Sequence, residues 1–148
     1  MKSSLKNFFK KTAIELAKES KCVSHKVACL IIKDERIISM GYNGTPSGFT
    51  NCNCQFDENN FEREDHIKWS LQHEIHAEMN SLMYAVKNGI STRDAIMVCA
   101  LQPCSDCLKA IIQSGIKEIY YIKEYDRSPE LSKEFKEYLK DKIKIEKL

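Results

Sequence analysis

His76-Ala77-Glu78 and, further along, Pro103-Cys104-Ser105-Asp106-Cys107 place an imidazole, two thiols and a carboxylate at spacings that leave the fold little freedom. Cys104 and Cys107 are three apart, so on the first turn of one helix both sulfurs point to the same side, and His76 can join them from the start of a neighbouring helix. The chain must therefore bring two helix starts together. Three protein ligands leave a fourth position on a zinc ion open, which distinguishes a catalytic zinc from a closed structural one. Water bound there has its pKa lowered to about 7. Two helix N-termini aimed at the site add positive potential that favours thiolate. Glu78, two residues beyond His76, is close enough to move protons for such a water without being a ligand. The rival is a structural zinc knuckle or a buried cysteine pair in a helix cap, which leaves Glu78 without a task.

The remaining chain reads as alternating helices and strands. Leu5, Phe8, Phe9, Ala13, Leu16 and Ala17 recur at helical spacing and predict an amphipathic helix over about 3 to 20. Val27 to Ile32 and Arg36 to Tyr42 are apolar, β-branched stretches around Lys33-Asp34-Glu35, a hairpin pattern. Gly41 to Gly48 breaks regular structure, and a polar loop is expected from there to about Glu64. A stripe of Ile75, Met79, Leu82, Met83 and Val86 predicts a helix ended by Asn88-Gly89. Ala95 to Leu101 reads as a buried strand, Pro103 as part of a helix first turn, and Glu118 to Ile122 as another strand. Pro129 is expected to open a last helix through about Lys140, with Leu131, Phe135, Tyr138 and Leu139 inward, before an edge strand at Ile143 to Ile145. Such alternation implies an α/β protein with one sheet covered on both faces.

The 148 residues suit one domain, 1–148, and no segment approaches the roughly 20 apolar residues of a membrane helix. The N-terminal stretch lacks a signal peptide's apolar core, so a cytoplasmic location is expected. A net charge of +2 with dispersed lysines argues against a nucleic-acid-binding stripe. Seven cysteines in a reducing compartment point to metal ligands before disulfides. Cys29 and Cys99 fall inside apolar strands and read as small buried hydrophobes.

The H-A-E and P-C-x-x-C pair resembles the zinc deaminase signature, in which hydrolysis removes an amino group from a nucleobase. Gly41-Tyr42-Asn43-Gly44-Thr45-Pro46-Ser47-Gly48 narrows the likeness to the deoxycytidylate (dCMP) deaminases, in particular their phage-like branch. Glu19-Ser20-Lys21-Cys22, Trp69-Ser70, Lys87-Asn88-Gly89, Gln113-Ser114-Gly115-Ile116-Lys117 and Glu124-Tyr125-Asp126 extend it over nearly the whole chain. The resemblance implies a three-layer α/β/α cytidine-deaminase-like fold with a mixed central sheet of about five strands. It also implies conversion of dCMP to dUMP for thymidylate synthesis, with Glu78 as proton shuttle.

By the same resemblance Asn43 contacts the sugar and Tyr125 lies at the substrate pocket. Lys26 and Arg127 are candidates for the phosphate, because a monophosphate demands cationic donors. Taken alone, Asn43 reads equally as a turn residue tolerating left-handed backbone. Relatives form homohexamers activated by dCTP with magnesium and inhibited by dTTP. The octamer, with Gly41, Asn43, Gly44, Pro46 and Gly48, resembles the allosteric nucleotide loop; a tight turn is the plainer alternative. Cys22, Cys52, His66 and Glu74 match a structural zinc site of the phage-like enzymes, with Cys54 and His73 as rival ligands. Two departures stand out: a shorter insertion between Cys52 and His66, and Ala100 and Gln102 where threonine and serine often precede P-C-x-x-C. Deamination of another cytosine compound, such as dCTP or cytidine, and a non-enzymatic zinc-stabilised module are the competing functions.

Overall fold

A computed structural model describes residues 1–148. Strands β1 (Ala28–Lys33) and β2 (Arg36–Tyr42) form the expected antiparallel hairpin. Its turn residues Asp34 and Glu35 sit at φ 50° and 61°, the paired left-handed geometry whose twist suits a two-residue connection. On its other side β1 pairs antiparallel with β3 (Ile96–Leu101). Strands β4 (Glu118–Lys123) and β5 (Lys144–Lys147) continue the sheet in parallel, giving the order β2-β1-β3-β4-β5. Parallel neighbours need a crossover, supplied by α5 (Ser105–Gln113) between β3 and β4 and α6 (Lys133–Lys142) between β4 and β5.

Alternation along β1 explains the layering. Leu30 and Ile32, with Val98 and Tyr120, pack against Phe9 and Ala13 of α1 (Ser3–Ala17). Cys29 and Ile31, with Met97, Cys99 and Ile119, face Leu82 of α4 (Ala77–Lys87), Leu108 and Ile111 of α5, and Leu139 of α6. A strand covered on both faces has no polar side to present, hence the unbroken apolar run. The result is a three-layer α/β/α fold around a mixed five-stranded sheet. No helix is long and apolar enough to cross a membrane.

Four local expectations need correction. The segment expected to remain loop to Glu64 contains α2 (Cys52–Gln55) and begins α3 (Arg63–His73). That helix buries only His66 and leaves Ile67 and Leu71 exposed, so it carries no inward apolar stripe for a periodicity argument to find. The next helix starts at Ala77, because the N–H and C=O of Ile75 are bonded to Gly44 in an isolated bridge. Pro103 lies outside α5, whose N-cap is Cys104. Finally, α6 starts at Lys133: the Ser132 hydroxyl accepts the Phe135 N–H at 3.2 Å, a helix-start bond that Pro129 does not provide, and Tyr138 is exposed.

Helix α4 is clamped to β2 at close range. A Cβ on Gly41 would stand 2.7 Å from the backbone nitrogen of Ser81, so only glycine admits the helix this near. The Ser39 hydroxyl donates to the Ser81 carbonyl at 2.6 Å, and the Asn80 amide donates to the Tyr42 carbonyl at 2.7 Å. These contacts fix the start of α4, where His76 and Glu78 sit.

Candidate active site

His76 and Cys104 are the N-cap residues of α4 and α5, with extended backbone and no capping bond from either side chain. Their donor atoms are thus free to meet. His76 Nδ1 lies 3.5 Å from Cys104 Sγ and 3.3 Å from Cys107 Sγ, on the first turn of α5. All three donor atoms fall within 4.8 Å of one another, and two soft sulfurs with one imidazole suit zinc. The Cys104 thiol is pushed down to about 4, first by the hydrogen bond from Cys107 and then by His76. The same bond, with burial, drives the Cys107 thiol up. The lowered Cys104 thiol favours the thiolate form that a metal ion requires.

Glu78 is only 4% exposed and lines the same cavity as His76 and Cys104. Burial pushes its carboxyl up from the ordinary range, against the pull of its own backbone N–H and of His76. The cavity measures about 450 Å³, within the range of small-molecule sites.

A second group, Cys22, Cys52, His66 and Glu74, also gathers its donor atoms within 4.8 Å. Cys22 Sγ lies 3.6 Å from His66 Nε2 and 3.4 Å from Glu74 Oε2, and the Ser70 hydroxyl donates to Glu74 Oε2 at 2.7 Å. Glu74 Oε1 is buried with no hydrogen-bond partner, an unmet acceptor that a cation would satisfy. Burial raises the Cys22 thiol and takes that of Cys52 up to about 12; metal binding favours the thiolate of each. Of the rivals, Cys54 is exposed and turned to Asn53, while His73 bonds the Trp69 carbonyl and stacks on Phe49. Phe56, Phe61 and Trp69 pack around the group.

The remaining candidates separate. Asn43 and Tyr125 line the cavity. Asn43 is not left-handed, since Asp34, Glu35 and Asp94 alone among non-glycine residues have positive φ. Instead its side chain accepts the Val27 N–H at 2.9 Å and donates to the His25 carbonyl at 2.7 Å, bracing the segment before β1. Gln102, which with Ala100 makes up the second departure, accepts the Tyr125 N–H at 3.3 Å and so positions that loop. Lys26 lies outside the cavity lining, its ammonium 3.8 Å from Glu58; Arg127 is inside. Within the octamer only Asn43 reaches the cavity, the Gly44 N–H is spent on Ile75, and Gly48 takes φ 88° in an exposed turn. His25 and Arg63 also line the cavity, and the sequence offered no motif for either.

The family model for the cytidine and deoxycytidylate deaminase zinc-binding region matches residues 3–123. The chain belongs to the cytidine and deoxycytidylate deaminase family. Among this deaminase's relatives, the deoxycytidylate deaminase of Enterobacteria phage T2 is 38% identical, over 76% of this chain and 77% of its own. The deoxycytidylate deaminase of Saccharomyces cerevisiae is 34% identical over 92% of this chain but 43% of its own length. A crystal structure of dCMP deaminase from the cyanophage S-TIM5, in complex with dCMP and dUMP, aligns with a TM-score of 0.79 at 32% identity, covering 100% of this chain and 99% of that one.

Proposed function

We propose that this deaminase hydrolyses dCMP to dUMP and ammonia, and that residues 1–148 act as one catalytic domain built on the single sheet. The observation that carries the proposal is the buried Glu78 carboxyl sharing a cavity with the His76, Cys104 and Cys107 donor trio. His76 Nδ1 and the two sulfurs would hold zinc, which supplies the Lewis acidity that makes water a nucleophile near neutral pH. Glu78 takes one proton from the water and passes it to N3 of the cytosine ring as the oxygen bonds to C4, then takes the second proton from that oxygen and passes it to the amine as the C4–N bond breaks. Burial suits it to that exchange, because a carboxyl raised from its ordinary range gives up a proton less readily to solvent and more usefully to a ring nitrogen. Asn43 and Tyr125 orient the nucleotide from the cavity wall.

The cluster of Cys22, Cys52, His66 and Glu74 would hold a second, structural zinc, a role supported by four donors and the unpartnered Glu74 Oε1. Regulation by dCTP with magnesium and by dTTP is supported by the exposed turn around Gly48. Assembly into a homohexamer is supported by the exposed Leu71, Met83, Tyr84 and Val86, which neighbouring copies would cover. A reducing cytoplasm suits a protein with seven free cysteines.

Glu78→Gln tests the central claim. Zinc content and folding should match the wild type, while ammonia release from dCMP drops by about 10²- to 10⁴-fold. Near-normal turnover in this variant refutes Glu78 as the proton carrier, and a wild type that releases no ammonia from dCMP refutes the activity.

A further inference from the structure

The loop after β4 is held by side chains. From Glu124 to Leu131 the chain forms no backbone–backbone hydrogen bond, yet Tyr125 and Arg127 from this stretch line the cavity. Glu124 pairs with Lys147 at 2.9 Å, but both are exposed, and such pairs contribute little. The stronger ties run to the strand-to-helix turn that carries Cys104. Gln102 grips the loop twice: its N–H donates to the Lys123 carbonyl at 2.8 Å, and its side-chain Oε1 accepts the Tyr125 N–H at 3.3 Å. No other acceptor meets that Tyr125 N–H. Further along, the Ser128 hydroxyl accepts the Ser105 N–H at 3.0 Å. Ser105 opens α5, and the first N–H groups of a helix have no acceptor within it. An N-cap side chain ordinarily helps to satisfy them, but here the N-cap is Cys104, whose sulfur faces His76, so the loop lends an acceptor instead.

A loop with no ladder of its own takes its order from such side-chain bonds, and it opens easily where they are lost. Gln102 and Ser128 fasten it on both sides of Asp126 and Arg127, so Tyr125 is fixed relative to the metal-binding turn and not to the sheet alone. We propose that Gln102 and Ser128 are positioning residues for the deamination: they keep the Tyr125 ring in place at the cavity wall and so tighten nucleotide binding through Tyr125; this rests on dCMP as substrate. Holding the loop in place beforehand removes an ordering cost from each binding event. Gln102 is also a position where the chain departs from the family resemblance, and the serine often found there has too short a side chain for the same reach.

Amide hydrogen exchange reads the brace directly, and titration calorimetry with dUMP reads its consequence; neither requires turnover. In Gln102→Met, similar in size but without the acceptor, the Tyr125 amide should lose protection, whereas Gln102→Glu, which keeps an acceptor, should retain it. The Kd for dUMP should rise by about 3- to 10-fold in Gln102→Met and in Ser128→Ala, the effect of one neutral hydrogen bond. KM for dCMP should rise more than kcat falls. Because Gln102 acts through the tyrosine, Gln102→Met should add little in a Tyr125→Ala background. Full additivity of those two substitutions overturns the proposal, as does a Tyr125 amide still protected in Gln102→Met, or a lowered Tm with KM and Kd unmoved, which marks a purely structural role. A wild type that binds dUMP no better than Gln102→Met and Ser128→Ala, yet turns over dCMP, sinks the brace alone; a wild type that neither binds dUMP nor releases ammonia from dCMP sinks the activity and the brace together.

Discussion

Gly41 ties the sheet to helix α4. Because its missing Cβ makes room for the Ser81 nitrogen and the Asn80 backbone, Gly41→Ala must push α4 off β2 and move His76 and Glu78 with it. Overpacking of this kind costs about 1–3 kcal/mol. Thermal unfolding should show a clear drop in Tm, with turnover falling further than stability alone explains; an unchanged Tm and rate would refute the close-packing role. The gathering of His76, Cys104 and Cys107 was legible because ligand chemistry is written in short spacings, whereas that of Cys22, Cys52, His66 and Glu74 was legible only through the family resemblance. Gly41 and Asn43 were legible only as members of an octamer. What they do depends on which backbone passes within 3 Å, and that is decided by tertiary packing.

Among the elements, the β1–β2 hairpin shows what local pattern can carry. Two β-branched runs around a polar spacer predicted it, and the turn then places Asp34 and Glu35 at positive φ, a conformation that side chains resist by about 1–2 kcal/mol per residue. Glu35→Gly should remove part of that cost and raise Tm by about 2–4 °C; a fall would mean that the glutamate side chain compensates for its backbone. Helix α3 shows the opposite case. Its one fully buried residue is a histidine, Ile67 and Leu71 stay exposed at the cavity wall, Trp69 alone of its apolar residues packs inward, and its donor group is completed from two other segments, those of Cys22 and Cys52. The 3.6-residue apolar stripe by which helices are read was never there. The start of α6 was misplaced for a smaller reason: Pro129 and Ser132 both carry helix-start chemistry, and only the Ser132 cap forms.

The whole molecule divides its stability unevenly. The two large apolar clusters lie on opposite faces of the sheet, whereas the region around Cys22, Cys52 and His66 has a core of three buried residues rimmed by aromatics. Metal removal should therefore loosen that region without melting the sheet. Purified protein is expected to contain two zinc ions per chain, one for each donor group. After chelation, limited proteolysis should cut between residues 50 and 74 while β-sheet circular dichroism persists. Global unfolding on chelation, or one zinc per chain with an unaltered cleavage pattern, would refute this division. Cys22, His66 and Glu74 line the same cavity as Glu78, so the wall that shapes the reaction chamber is also a fastening of the chain. Substitutions that would widen the chamber for a bulkier base fall on the fastening itself, and drift towards new substrates must first find another way to keep that side of the molecule shut.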